Sequence, residues 1–298
     1  MVSTRAMLLR NCVAISCLLV SAAQGQINVT VWDERQTEER EAYPNFIGNA
    51  IAEQLGAKPG VEAVSVGLDD PEQGLPKKLL DKTDVLLWWG HARHDEVTQE
   101  LTDAVVGRIK EGMGFVALHS AHWAPPFIEA MNERTRVEAK RRYPDPATEF
   151  EFVPRTPWAL PRYDSAVTPL FYALKGLKGP PIVRVDLPAC VFPSFREDGK
   201  PSKVTVLRPD HPVMKGVPAR FEIPKTEMYD EPFHVPTPDA VLMQETWFDG
   251  GSFRSAMVWT VGEGKVIYFR PGHETYAVYE QPEVRRILEN AVTWLGGR

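Results

Sequence analysis

Two uninterrupted apolar runs, Asp84–Trp89 (DVLLWW) and Gly114–Leu118 (GFVAL), constrain this chain more than any other feature. Neither alternates apolar with polar residues. That is the pattern of strands covered on both faces, as in a parallel sheet packed between helices. Between the runs, Val97, Leu101, Val105, Val106 and Ile109 recur at helical spacing and stop at Gly112; Asp95 and Glu96 favour a helix start. Upstream the order repeats. Ile27–Trp32 reads as a strand. Phe46, Ile47, Ala50, Ile51 and Leu55 form one face of a helix running from Pro44 to Gly56. Val61–Val66 is a second strand and Leu75–Leu80 a short helix. This β-α-β-α alternation predicts an α/β fold, a mostly parallel sheet flanked by helices.

The remainder is less regular. Val204–Leu207, Ala240–Trp247, Ala256–Val261 and Lys265–Arg270 have strand character, with a tight hairpin at Gly262-Glu263-Gly264. Glu283–Leu295 closes the chain as an amphipathic helix. Residues 133–189 hold a charged run, several prolines and little periodicity. They read as an insertion over or beside the site within one domain, 26–298. So long a stretch is expected to carry some local structure.

Residues 1–25 differ from the rest. Arg5 and Arg10 precede the apolar stretch Cys12–Ala23, and Ala23-Gln24-Gly25 gives a small-x-small pattern. This reads as a secretory signal peptide, with an apolar part short for a membrane span; an uncleaved anchor is the alternative. The predicted location is periplasmic or secreted. Cleavage removes Cys12 and Cys17 and leaves Cys190 alone, so no internal disulfide is expected. The whole chain carries a net charge of −6, more negative still without Arg5 and Arg10. That argues against nucleic acid as a partner, which needs a basic face.

The histidines point to the chemistry. Five of seven sit in three motifs, WWGHARH (Trp88–His94), LHSAH (Leu118–His122) and PGHET (Pro271–Thr275), each following a strand candidate. Open α/β sheets bind ligands at the carboxyl ends of their strands, so His91, His119 and His273 could converge in one cleft. Three neutral imidazoles with an open position make a catalytic metal site. The alternative is that each histidine bonds only to loop backbone. His94 and His122 come second in their motifs and could orient a ligand histidine, or cap a turn.

These stretches resemble the trehalose-utilisation (ThuA-like) family, whose fold is a variant of the class I glutamine-amidotransferase, flavodoxin-like fold. The resemblance is carried by VWDE, WWGHARHDEV, GMGFVALHSAH, PDHPVMKGV, EMYDEPF and GKVIYFRPGHETY, in order from about residue 27 to the C-terminus, outside 133–189. Amidotransferases place a nucleophilic Cys in the turn after a central strand. Here that turn is LHSAH, and Cys190 lies elsewhere, so Cys–His catalysis lacks its nucleophile. The resemblance implies a carbohydrate substrate, and it puts an acid and a tyrosine at Glu227 and Tyr229, with Glu231 nearby.

The expected roles follow. His91, His119 and His273 hold a divalent metal, zinc first, with manganese or nickel as alternatives. Glu227, Tyr229, Glu274 and His122 are the candidate catalytic groups; Glu227 could instead be a fourth ligand and Glu274 could fix the His273 tautomer. Asp33, Glu34, Trp123, Arg196 and Arg270 are candidate sugar contacts, with Arg270 equally readable as a structural ion pair. Of Trp88 and Trp89, at least one must be buried, since neighbours in a strand face opposite ways. The reaction reads as isomerisation, epimerisation or elimination on a keto-sugar or disaccharide. A metal-assisted hydrolase and a non-catalytic sugar-binding protein are the alternatives. No GxGxxG, P-loop or GxSxG is present, so no nucleotide cofactor is expected. Any redox step falls to a partner sugar oxidoreductase, and a homo-oligomer is compatible with the insertion.

Overall fold

The structure, a computed structural model, describes residues 25–156, 159–174 and 181–297. The predicted signal peptide, Gly25 apart, lies outside the described residues. In chain order the elements are β1 (Ile27–Asp33), α1 (Ile47–Gly56), β2 (Val61–Gly67), α2 (Lys77–Leu80), β3 (Val85–Trp89), α3 (Gln99–Lys110), β4 (Gly114–Leu118) and α4 (Pro125–Arg142). Then come β5 (Glu149–Val153), β6 (Leu170–Leu174), β7 (Ile182–Asp186), β8 (Phe195–Arg196), β9 (Ser202–Val206) and β10 (Arg220–Ile223). The last are β11 (Met228–Tyr229), β12 (Ala240–Thr246), β13 (Ser252–Val261), β14 (Gly264–Phe269) and α5 (Pro282–Gly296).

The central sheet runs β2-β1-β3-β4-β14 in parallel, and β13, β12, β9 and β10 extend it antiparallel past β14. The parallel part is covered on both faces. Val85, Leu87 and Trp89 of β3 join the core under α1 and α5, while Leu86 and Trp88 join the core under α3 and α4. Both tryptophans are therefore fully buried. Burying each such side chain stabilises by about 1.5–3 kcal/mol, so the two-faced strands, rather than the loops, fix where their carboxyl ends emerge. Among the described residues, no helix is long and apolar enough to cross a membrane.

Three local expectations shift. Residues 94–96 form only a short 3-10 turn; α3 starts at Gln99, where Thr98 Oγ1 accepts the Leu101 N–H at 3.2 Å. The hydroxyl cap outcompetes the acidic pair upstream because it satisfies an orphan helix N–H directly. Likewise α1 starts at Ile47, not Pro44. The predicted insertion at 133–189 begins inside α4, so its charged run is helical. The rest of it forms a three-stranded sheet, β5-β7-β6, with Val183 and Val185 packed on Ala139 of α4. The hairpin between β13 and β14 holds: Gly262 has φ +61°, and a Cβ there would meet the Lys110 carbonyl at 2.6 Å.

Candidate metal and acid–base site

β3, β4 and β14 deliver their carboxyl ends side by side. His119 is the first residue after β4 and has φ 49°, a left-handed conformation that costs a non-glycine residue about 1–3 kcal/mol and survives only when its surroundings enforce it. The enforcement is visible. His119 Nδ1 lies 3.1 Å from the Arg270 carbonyl, and the Tyr268 hydroxyl donates to the His119 carbonyl at 2.9 Å. The Trp89 and Tyr229 rings lie nearly parallel to the imidazole at 5.6 and 5.3 Å.

His91 sits on the loop after β3. Glu34 fixes that loop, accepting the Ala92 N–H at 2.8 Å and the Arg93 N–H at 3.1 Å. Ser120 Oγ lies 2.6 Å from His91 Nδ1, which leaves Nε2 facing Glu274 Oε1 at 3.9 Å. Ligand atoms of His91, His119 and Glu274 all lie within 4.8 Å of one another. Two ligands bound about 2 Å from one ion stand at most about 4 Å apart, so sub-ångström side-chain shifts close this set on a cation. His91 and Glu274 keep partial exposure and His119 has none. The cluster therefore meets solvent through His91 and Glu274.

The electrostatics beneath it are specific. A carbonyl acceptor at His119 Nδ1 places the ring proton there, leaving Nε2 as a lone pair. Burial, then the Arg270 charge, hold His119 well below the ordinary histidine range, so the ring stays neutral. Glu227 Oε2 nevertheless lies 3.1 Å from that Nε2, with the Tyr229 hydroxyl as the neighbouring hydrogen-bond donor to the carboxylate. Two acceptors at this distance are accommodated by a shared proton or a cation between them. Burial raises the Glu227 carboxyl, consistent with the proton; the neighbouring imidazoles fit the cation equally. Tyr229 completes the floor, its hydroxyl 3.4 Å from both His119 Nε2 and Ser120 Oγ. Burial, then Glu227, raise that phenol well above its usual range, so it remains an O–H donor.

Several expected roles change. His273 Nδ1 accepts the Thr275 N–H at 3.1 Å, so a neutral ring carries its proton on Nε2 and offers no lone pair. Glu274 takes its place beside His91 and His119. His122 donates to the Cys190 carbonyl at 2.7 Å inside a nest of Phe192, Phe233 and Tyr268. It meets Tyr229 edge-on at 5.8 Å and supports that ring rather than facing a substrate. His94 bonds to the His91 backbone, and burial depresses it to about 3.

Asp33 and Glu34, the expected sugar contacts, turn their oxygens to backbone N–H groups instead. Asp33 accepts the Arg35 and Gly48 N–H groups at 2.7 and 2.6 Å, and with Glu39, which takes the Ile47 N–H at 2.8 Å, caps the start of α1. Gly48 allows this approach, because a Cβ there would lie 2.6 Å from the Asp33 Cβ. Arg270 is fully buried and structural. It pairs with Glu245 at 2.5 and 2.9 Å and holds Thr226 Oγ1 and the Glu227 carbonyl at 2.8 and 2.5 Å. Arg196, opposite Met228 in the β8–β11 pair, spends its guanidinium on Asp198 and Asp249. Glu231 pairs with Arg254 at 2.7 Å. Trp123 stays half-buried against His122, ring centroids 5.0 Å apart. Cys190 is buried with its thiol pushed up to about 12 by desolvation, which makes it inert.

Ser120 and Glu39 escape a reading of the sequence. Ser120 is signalled only by its place in the LHSAH turn. Glu39 holds the Trp89 indole N–H at 3.2 Å from below. A groove of about 660 Å³ between α2 and α3 touches none of these groups and lacks their convergence of titratable side chains.

Fold and site together define an α/β protein with a His/Glu cluster at the carboxyl edge of a parallel sheet. The sequence profile of the family described as ThuA, trehalose utilisation, matches residues 28–295, and the chain belongs to that family. The fold is shared with a ThuA-like protein of Bacteroides uniformis, at TM-score 0.55 and 16% identity, covering 92% of this chain and 93% of that one. A ThuA-like protein of Parabacteroides merdae gives TM-score 0.57 at 15% identity, covering 91% and 90%. No curated protein matches the chain in sequence. Family membership places the chain in carbohydrate metabolism.

Proposed function

We propose that the chain is a periplasmic or secreted enzyme that moves a proton beside the carbonyl of a keto-sugar or oxidised disaccharide, with a divalent metal held by His91, His119 and Glu274. The observation that carries this reading is the 3.1 Å approach of Glu227 to the unprotonated Nε2 of His119. It sets a buried acid–base group against three candidate ligands. Zinc, manganese or nickel bound there would polarise the sugar carbonyl.

The chain's own residues supply the rest. Glu227, as carboxylate, takes the proton from the carbon next to the carbonyl, and its raised affinity for protons makes it a stronger base. The C–H electron pair becomes a C=C bond and the carbonyl π pair moves to oxygen, where the Tyr229 O–H donates. Returning the proton to the former carbonyl carbon isomerises the sugar, as the neighbouring hydroxyl passes its proton to the old carbonyl oxygen and becomes the new carbonyl; a solvent proton delivered to the opposite face of the original carbon epimerises it. Departure of a β-substituent with its electron pair completes an elimination. Ser120 keeps the His91 ring in register. The family's description directs the substrate toward trehalose-like glycosides, and a partner sugar oxidoreductase would supply the keto group.

The test is incubation of the purified protein with keto-glucosides in D2O, read by NMR, with a parallel run in H2 18O. Deuterium at the carbon beside the carbonyl, lost in Glu227→Gln, is the expected result. Solvent 18O in the product without deuterium uptake would replace this reading by metal-assisted hydrolysis. Sugar binding without either label would leave a binding protein.

A further inference from the structure

Two chain segments leave the cluster and enter the same neighbouring groove. From Glu227 the chain runs back to Lys225 and Pro224, and from Glu274 it runs forward to Thr275 and Tyr276; all four line a groove of about 660 Å³. Consecutive Cα atoms are about 3.8 Å apart, so Lys225 lies within about 7.6 Å of Glu227, and Tyr276 equally close to Glu274. The groove thus begins within two residues of the cluster along both chain segments. Its size falls within the roughly 300–1,000 Å³ of small-molecule sites.

Its lining is suited to a sugar. The half-buried Tyr276 ring stacks on His273 at 4.0 Å, which fixes its plane, and Lys225 Nζ stands 6.0 Å from its centroid. Gln281, also in the lining, spends its amide N–H groups on the Glu222 carbonyl at 2.7 Å and on Glu283 at 3.1 Å, which fixes that wall of the groove. Glu41 adds a carboxylate. An aromatic plane beside an ammonium and a carboxylate group offers an apolar pyranose face one surface and its hydroxyls a donor and an acceptor. The groove neighbours the groups that would do chemistry and contains none of them.

We infer that this groove, walled by Tyr276, Lys225 and Gln281, is a second sugar subsite, which holds the non-reacting ring of a disaccharide while the other ring meets the His/Glu cluster. The inference rests on the carbohydrate reading above and narrows it to a two-ring substrate. Cooperation of the two positions predicts that a disaccharide binds better than a single ring.

The experiment is titration calorimetry of the purified chain with trehalose and, separately, glucose, on wild type, Tyr276→Ala and Lys225→Ala. Trehalose should bind about tenfold more tightly than glucose in the wild type. Tyr276→Ala should remove most of that advantage, the scale of one lost aromatic contact. Lys225→Ala, which does not touch His273, should reduce it in the same direction, and glucose affinity should hold in both. Equal affinity for the two sugars in wild type, or an advantage that survives both substitutions, overturns the subsite and leaves the carbohydrate reading intact. Binding of neither sugar overturns the subsite, and the deuterium-exchange test above decides the carbohydrate reading separately.

Discussion

The Thr275 amide donates to His273 Nδ1 at 3.1 Å, and this single bond decides which neighbour in the PGHET motif can serve a metal. It fixes the His273 proton on Nε2, while the Glu274 carboxylate, with Oε2 3.4 Å from His273 Nδ1, holds Oε1 3.9 Å from His91 Nε2. Elemental analysis of purified protein should therefore find about one equivalent of divalent metal in wild type. His91→Ala, His119→Ala and Glu274→Ala should each lose most of it, and His273→Ala should retain it. Retention in Glu274→Ala with loss in His273→Ala would reverse the assignment.

Glu34 acts on the site through the loop that carries His91. Its two oxygens take the Ala92 and Arg93 N–H groups and the Gln36 side chain. Glu34→Gln replaces one acceptor by a donor facing a backbone N–H. Metal affinity should fall about 10- to 100-fold, the usual cost of disturbing a ligand's support. A chelator-competition titration reads this, and unchanged affinity would show that the loop holds without Glu34.

Arg270 and Glu245 form a fully buried ion pair under Glu227. Arg270→Ala leaves the Glu245 charge unpaired and should destabilise by about 3–5 kcal/mol, whereas Arg270→Met with Glu245→Leu should recover most of that loss. Urea midpoints check both. If the single variant alone were as stable as wild type, the pair would have no structural role.

The strands that present the site were legible in the sequence because β3 and β4 are buried on both faces, which forces unbroken apolar runs and marks His91 and His119 at their ends. The direction a loop residue faces left no such mark. His273 and Glu274 are adjacent, and only a backbone bond from Thr275 distinguishes them. Asp33 and Glu34 read as site carboxylates because they end a strand, yet they serve backbone N–H groups that appear only once α1 and the His91 loop are in place. α4 was hidden for another reason. Its second half buries Thr135, Glu138 and Ala139 against a small separate sheet, so no apolar stripe records the helix.

Burial of titratable groups also predicts the pH dependence of stability. Desolvation, the largest cause at each, holds His94 and His273 near 3, against 6.5 for a free histidine. Between those values the unfolded chain binds protons that the folded chain refuses, so stability falls as pH drops below about 6.5. Glu39 acts in the opposite sense. Burial, then the Asp33 charge, raise it from 4.5 to about 8, so the folded chain holds a proton the unfolded chain has released. Its stabilisation is complete below 4.5 and is lost as pH rises toward 8, by up to about 1.4 kcal/mol per pH unit. Glu39→Gln carries no such proton. Calorimetric melts from pH 5 to 8 should show a shallower alkaline decline in Glu39→Gln than in wild type, whatever the variant's absolute Tm. Parallel slopes would mean that Glu39 is ionised in the folded protein and that the Asp33–Glu39 cap of α1 carries its full negative charge.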